Sequence, residues 1–314
     1  MNKAIFKVIK PGLQTTIQDF GRFGFQQYGI SPSGAMDVFS LQIANILTGN
    51  PLGSAALEAV LAGPEIEILS DITVAICGGD FSPKVDGHEV LMWKSISLKK
   101  GQILSIGSCR QGARAYIAFS GGIDVPEILG SKSTFLNGGF GGLEGRALQS
   151  GDILLGNAAI MKPLKFLHPE LIPTFHKTLH LRVILGPHEK SFTKQSIQRF
   201  LNETYTLTPQ SNRMGIQLKG PKLDHLLGPD IISDPVPFGG IQVPSSGQPI
   251  ILMVDRQTTG GYTRIATVIS ADIPLLAQAV PDTKITFSTV SVEEAHRLYF
   301  KRHRLIKLLA ATIK

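Results

Sequence analysis

Apolar residues in this chain arrive in short runs, and glycine, proline, asparagine or aspartate clusters separate those runs along most of its length. Short apolar runs bounded by turn formers suit strands better than helices. The 33 glycines and 19 prolines make up roughly 17% of the chain, against about 12% in average usage, so many tight turns are expected. The pattern predicts a mainly β protein with a few helices. Length suggests about two domains.

Taken in order, residues 4–9 (AIFKVI) read as an opening strand stopped by Pro11 and Gly12. Residues 13–37, LQTTIQDFGRFGFQQYGISPSGAMD, are polar, glycine-punctuated and long for a mere connection, which marks a functional contact loop. After Ser33 and Gly34, the spacing of Met36, Phe39, Ile43, Ile46 and Leu47 predicts a helix that Gly49-Asn50-Pro51 stops. Strands are expected over 57–69 and 72–77. The second leads into Gly78-Gly79-Asp80, where an Asx turn and a ligand-facing carboxylate are both open readings.

Lys99-Lys100-Gly101 reads as a hairpin between 96–98 and 103–106. Residues 113–120 read as a strand that puts Arg114 and Tyr116 on one face, where they could form the polar lining of a barrel. The glycine-rich segment 137–146 matches neither GxGxxG nor a P-loop, and Gly130-Ser131-Lys132-Ser133 lacks the glycine that a P-loop has before its lysine. A mobile loop or lid ending at Arg146 is the expectation there. Three prolines within 157–178 mark the domain boundary, and a second β-rich unit begins at Leu181. The chain closes with a capping-box pattern at Ser291–Glu294. An apolar stripe of Ala295, Leu298, Tyr299, Leu305, Ile306 and Leu309 then predicts a docked amphipathic helix.

The net charge of +7 suggests nucleic acid until it is located. Residues 296–314 hold six Lys or Arg and no acid, which leaves a nearly neutral body. No recognition-helix or RNA-binding aromatic pattern accompanies that tail, so no nucleic-acid partner is expected. Two cysteines, with neither a secretory signal nor a long apolar span, predict a reduced, cytoplasmic chain with no membrane association. Cys77 lies in an apolar run and reads as a small buried residue. The eight histidines show no metal-ligand spacing, and HExxH, CxxC and GxSxG are absent, so no metal site is expected.

Chemistry concentrates in residues 241–265, IQVPSSGQPIILMVDRQTTGGYTRI. A turn at 244–249 precedes the apolar run 250–254, which breaks into Asp255, Arg256, Gln257, Thr258 and Thr259. Gly260 and Gly261 follow and would let a backbone approach a ligand closely, with Tyr262 closing the set. A plain hairpin, with Gly-Gly supplying positive φ and Asp255 paired with Arg256 at the surface, accounts for the same residues. The earlier SNRMG segment offers Asn212 and Arg213 at a turn, and a surface salt bridge is the alternative for Arg213. Because Arg213 and Asp255 lie in turn-like, strand-end segments, their removal is expected to spare the core.

The 13–37 segment, ICGGD, GARAYIAFSGGID, GGLEGRAL, SNRMG and the 241–262 stretch together resemble the allophanate hydrolase subunit 2, or biotin-dependent carboxyltransferase, family. The resemblance runs from about Val8 to Phe287. It implies two cyclophilin-like β-barrel domains, here over 1–165 and 179–290, with 291–314 as a basic C-terminal helix. It also implies a heteromer with a subunit 1 or B type partner. The activity implied is ATP-dependent opening of 5-oxoproline to glutamate, a hydrolysis of a small amide. Alternatives within the family are a non-catalytic antagonist of a kinase-inhibitor protein and carboxyl transfer to an amide or urea-like substrate.

By the same resemblance, Asn212, Arg213, Asp255, Gln257, Thr258, Thr259 and Tyr262 line the pocket. Arg213, Asp255 and Gln257 are the catalytic candidates. Asn212, Thr258, Thr259, Gly260, Gly261, Tyr262, Arg114 and Tyr116 are the substrate-binding ones. Arg213, with backbone N–H groups near Gly260, could stabilise negative charge on an amide oxygen, and Asp255 could orient a substrate N–H or that arginine. Many relatives have Pro-Lys where this chain has Thr263-Arg264; arginine stays protonated, so a proton-transfer role for lysine there is lost. ATP is expected in the assembly. No biotinyl-lysine segment is present, so any biotin would come on another chain.

Overall fold

The computed structural model describes residues 2–157 and 162–313. Internal packing divides the chain into two compact units. The first comprises residues 1–23, 33–175 and 305–314; the second comprises 24–32 and 176–304. The break after Phe175 falls in the proline-containing stretch at 157–178, of which 158–161 lie outside the described residues. The 13–37 segment is therefore shared between the units, and Gln14–Gln18 within it is a strand.

In the first unit, two sheets enclose an aliphatic core. One runs, in spatial order, Gln14–Gln18, Ala56–Val60, Gln111–Phe119, Ile72–Asp80 and Ser95–Leu98. The other runs Ile123–Asp124, Ile153–Asn157, Asn2–Lys10, Glu65–Ile68, Ile103–Ser105, Lys84–Val85 and His88–Glu89. Alternation sends Leu57, Ile76, Ala115 and Ile117 into the core shared with Phe6, Ile66 and Leu104. The opposite face of the five-stranded sheet carries Ala56, Ala75, Cys77, Tyr116 and Ala118, and helix α1 (Val38–Thr48) covers it. Asp37 caps α1 by accepting from Ser40 N–H, and Gly49 ends it in the left-handed region.

The Lys99–Gly101 turn is not a hairpin. Ser95–Leu98 pairs with Ile72–Asp80, whereas Ile103–Ser105 pairs with Glu65–Ile68, so the turn carries the chain from one sheet to the other. Asp71 fixes that corner by accepting from Lys99 Nζ and Lys100 N–H, both at 2.9 Å. The 137–146 segment is a packed turn rather than a lid. A Cβ on Gly141 would collide with the Ser133 carbonyl and one on Gly142 with Thr134 Oγ1. Arg146 is tied down by Asp152 at 2.8 and 2.9 Å.

The second unit is built on a closed barrel, in order Thr178–Leu185, Arg264–Val268, Gly240–Gln242, Ile250–Leu252, Gly215–Lys219, Tyr205–Leu207 and Lys284–Thr289. Closure removes every edge strand from the ring. Helix α2 (Lys194–Asn202) packs its Phe200 on Phe287, with ring centroids 4.4 Å apart. The short α3 (Ile273–Ala277) precedes the last barrel strand. A separate two-stranded ribbon pairs Asp230–Pro235 with Thr259–Tyr262.

Helix α4 (Val292–Thr312) realises the predicted terminal helix. Ala295 and Leu298 pack with Ile269 and Ala271 in the second unit. Its turns from Leu305 onward belong to the first unit, where Ile306 and Leu309 are buried among α1 residues. Tyr299, expected in the apolar stripe, is instead about half exposed and stacks on His303. The capping box is half formed: Ser291 Oγ accepts from Glu294 N–H, but the Glu294 carboxylate turns to Arg297. Among the described residues no helix is long and apolar enough to cross a membrane.

Candidate functional site

The reactive residues of 241–265 gather where barrel strands run out into the connection at 253–258 and the ribbon. Ile250–Leu252 pairs with Gly215–Lys219, which sets the SNRMG turn beside Asp255: Met253 N–H donates to Met214 O, and Asp255 N–H to Arg213 O, each at 2.9 Å. That backbone register brings Arg213 and Asp255 together. Arg213 Nε donates to Asp255 Oδ2 at 2.8 Å and Nη2 to Oδ1 at 3.2 Å. The residues are 6% and 4% exposed, so this is a buried bidentate pair rather than a surface one. Both carboxylate oxygens are taken up in holding the guanidinium.

Arg256 does not pair with Asp255. Its Nε donates to Val236 O at 2.9 Å and its Nη1 to Met253 O at 3.3 Å, over the ring of Phe238. Burial pulls its pKa down to about 10. The exposed Asn212 folds its Oδ1 back to Met214 and Gly215 N–H, an Asx turn that shapes SNRMG. Ser31, from the 13–37 motif, donates to Val254 O at 2.9 Å, so part of that motif supports the same connection.

Gly260 and Gly261 are ribbon residues, and neither adopts positive φ, so they do not form the tip of a hairpin. Gly260 is required for a different reason. A Cβ there would stand 2.5 Å from Nε2 of Gln242, a barrel residue only 3% exposed. Gln257 Nε2 donates to Gln242 Oε1 at 3.2 Å. Gln257, Thr259 and Tyr262 are exposed, and Thr258 is half-buried with its carbonyl accepting from Val236 N–H.

Beneath the ribbon, Arg264 is buried and gives Nη1 to Pro235 O at 2.8 Å and Nη2 to Asp234. The arginine that stands at 264 in place of lysine therefore has a structural consequence, because this guanidinium is committed to an ion pair. His188 Nδ1 accepts from Arg264 N–H at 3.2 Å and its Nε2 lies 3.8 Å from Asp234 Oδ2. Burial first, then the Arg264 charge, lowers the His188 pKa below the usual imidazole value. Sequence reasoning missed Gln242, which lies inside the 241–262 stretch but was not singled out there, and His188 and Asp234, which stand in no motif; their neighbourhoods form only through barrel and ribbon pairing.

Arg114 and Tyr116 belong to the first unit. They do share a strand face, but the face is the one covered by α1, not a barrel interior. Tyr116 Oη donates to Glu58 Oε2 at 2.6 Å and accepts from Asp37 N–H at 2.8 Å, while Arg114 Nε lies 3.8 Å from Glu58 Oε1. Burial, aided by Glu58, raises the Tyr116 pKa well above the usual phenol value.

The glycine-bearing turns are partly taken up by contacts of the chain itself. At 131–133 the Asp19 carboxylate already accepts from Ser131 Oγ, Lys132 N–H and Ser133 Oγ. At 137–146 the Gly141 and Gly142 surfaces are filled by Ser133 and Thr134. Cys77 is buried, and burial likewise pushes the Cys109 thiol up to about 11, so neither is an activated nucleophile. Among the described residues no group of three His, Cys, Asp or Glu could hold a metal ion.

Comparison with known proteins bears out the family resemblance. The chain is 38% identical to the C-type subunit of 5-oxoprolinase from Escherichia coli (strain K12), covering 98% of both chains. It is 37% identical to the protein of the same name from Haemophilus influenzae over 91% of each. It is also 34% identical to the urea amidolyase of Saccharomyces cerevisiae, over 98% of this chain but only 18% of that longer protein. The crystal structure of the K. lactis urea amidolyase superposes with a TM-score of 0.93 at 32% identity, covering 98% of this chain and 20% of that one. The family model for the carboxyltransferase domain, subdomain A and B, matches residues 28–289. With both barrel and site motifs inside that span, the chain belongs to the carboxyltransferase domain family.

Proposed function

We propose that this chain is the C-type subunit of an ATP-dependent 5-oxoprolinase, which opens the lactam of 5-oxoproline to glutamate within a cytoplasmic heteromer. The observation that carries this reading is the match to the E. coli 5-oxoprolinase component over 98% of both chains. Opening a lactam adds water across the amide C–N bond, and negative charge develops on the carbonyl oxygen as it does so. Fixed donors in a site shielded from water stabilise that charge. The Arg213–Asp255 pair supplies a buried, oriented guanidinium beside the connection, and the exposed Gln257–Tyr262 segment forms the approach to it.

ATP is expected to bind in the assembly. The expected partner is a subunit 1 or B type protein. Co-expression with that partner, followed by size exclusion, is expected to give one complex. ATP-dependent glutamate release from 5-oxoproline should then require this chain.

A second reading, carboxyl transfer to an amide or urea-like substrate from carboxybiotin on another chain, is favoured by the 0.93 superposition on a urea amidolyase. A complex that forms yet turns over neither substrate would return the non-catalytic, inhibitor-binding reading.

A further inference from the structure

We propose that Gln242 is the buried hydrogen-bond donor that receives the substrate's amide carbonyl oxygen, with Gln257 and Gly260 serving to position it. This rests on the reading of the chain as part of an amide-opening enzyme. Gln242 sits on the barrel strand Gly240–Gln242, and its Oε1 accepts from Gln257 Nε2 at 3.2 Å. Its Nε2 is buried and has no hydrogen-bond partner among the described residues. A buried amide N–H without a partner is costly, and folded proteins rarely keep one without a use for it.

The neighbouring residues pack against that donor without pairing it. Gly260 has no side chain where a Cβ would stand 2.5 Å from Nε2 and 3.1 Å from Val236 Cγ2. Any other residue at 260 would press on the Gln242 amide. Gln257 holds the opposite end of the same amide, which fixes which end faces Gly260. Two residues of the DRQTTGGY motif are thus explained by one residue outside it. Gln242 lies one layer below the exposed Gln257 and the half-buried Gly260, so the donor is shielded but near the surface. A donor-only N–H in that setting suits an uncharged carbonyl oxygen that gains negative charge during reaction.

The test uses the assembled complex and two probes, 5-oxoproline and proline, which share the carboxylate and ring but differ in the lactam carbonyl. In the wild type, 5-oxoproline is expected to raise the thermal midpoint and proline to raise it much less. Gln242→Leu removes the unsatisfied N–H, so its own midpoint should hold or rise. Its kcat/KM for 5-oxoproline should fall about 100-fold, and its preference for 5-oxoproline over proline should vanish. Gly260→Ala, which displaces the amide while leaving the glutamine in place, should lose the same preference.

Full activity and full discrimination in Gln242→Leu would overturn the proposal. Should that variant fail to assemble, an unimpaired Gly260→Ala would overturn it instead. A wild type that binds 5-oxoproline over proline but releases no glutamate would count against the 5-oxoprolinase reading and leave the binding arms decisive for Gln242. A wild type that does not discriminate the probes would remove both.

Discussion

At the level of single residues, truncating either half of the Arg213–Asp255 pair takes a bidentate partner from a charge that is almost wholly buried. Breaking a buried pair from one side costs about 3–5 kcal/mol, so Arg213→Ala and Asp255→Ala should each lower unfolding stability on that scale in urea titrations. The double variant should cost less than the two singles together. Strand-end position in the sequence implied the opposite, because a turn-like context looks exposed until the barrel register closes over it. Midpoints of both singles within experimental error of wild type would contradict this.

The two depressed histidines set a pH dependence. Burial is the main cause at both His188 and His225. In the unfolded chain each takes up a proton near 6.5, whereas the folded sites do so at lower pH. As pH falls from 7 through that window the unfolded state binds protons first, and stability drops. The slope of stability against pH between about 7 and 5 should therefore flatten in the His188→Gln, His225→Gln double variant. An unchanged slope would show that other groups carry it.

At the level of elements, the 137–146 turn shows why a glycine-rich segment need not be mobile. Gly141 adopts φ 76° and faces the Ser133 carbonyl. Gly141→Ala should cost about 1–3 kcal/mol from the left-handed backbone alone, and more from the collision; a fall in thermal midpoint would report it. An unchanged midpoint would revive the lid reading. Helix α1 was legible because its periodicity and stop signal are local, and its caps followed. The Lys99–Gly101 corner was not, because strand partners are chosen across the sheets and nothing near the turn names them. Truncation after Val290 removes α4 with its buried Ala295, Ile306 and Leu309, so it should lower stability or solubility. Affinity for RNA or DNA at physiological salt, lost on truncation without loss of stability, would contradict the reading of α4 as a docked structural helix.

For the whole molecule, the mainly β character follows from the turn-punctuated apolar runs, whereas a barrel was expected only from the family resemblance, itself legible from motifs spread over most of the chain. The site was only partly so. Arg213 and Asp255 were visible as reactive types, but their mutual capture depends on the pairing of Gly215 with Leu252. Gln242 had no visible signal, since an unpaired buried amide exists only once strand and ribbon are assembled. Arg114 and Tyr116 looked like pocket lining because a strand's two faces cannot be told apart until one acquires a helix.

The measurement that bears most directly on the central claim is glutamate release from 5-oxoproline by this chain with its partner subunits and ATP, with avidin absent and present. The 5-oxoprolinase reading predicts release that requires both this chain and ATP and that avidin leaves unchanged. Release that persists without this chain, or that avidin abolishes, would contradict it.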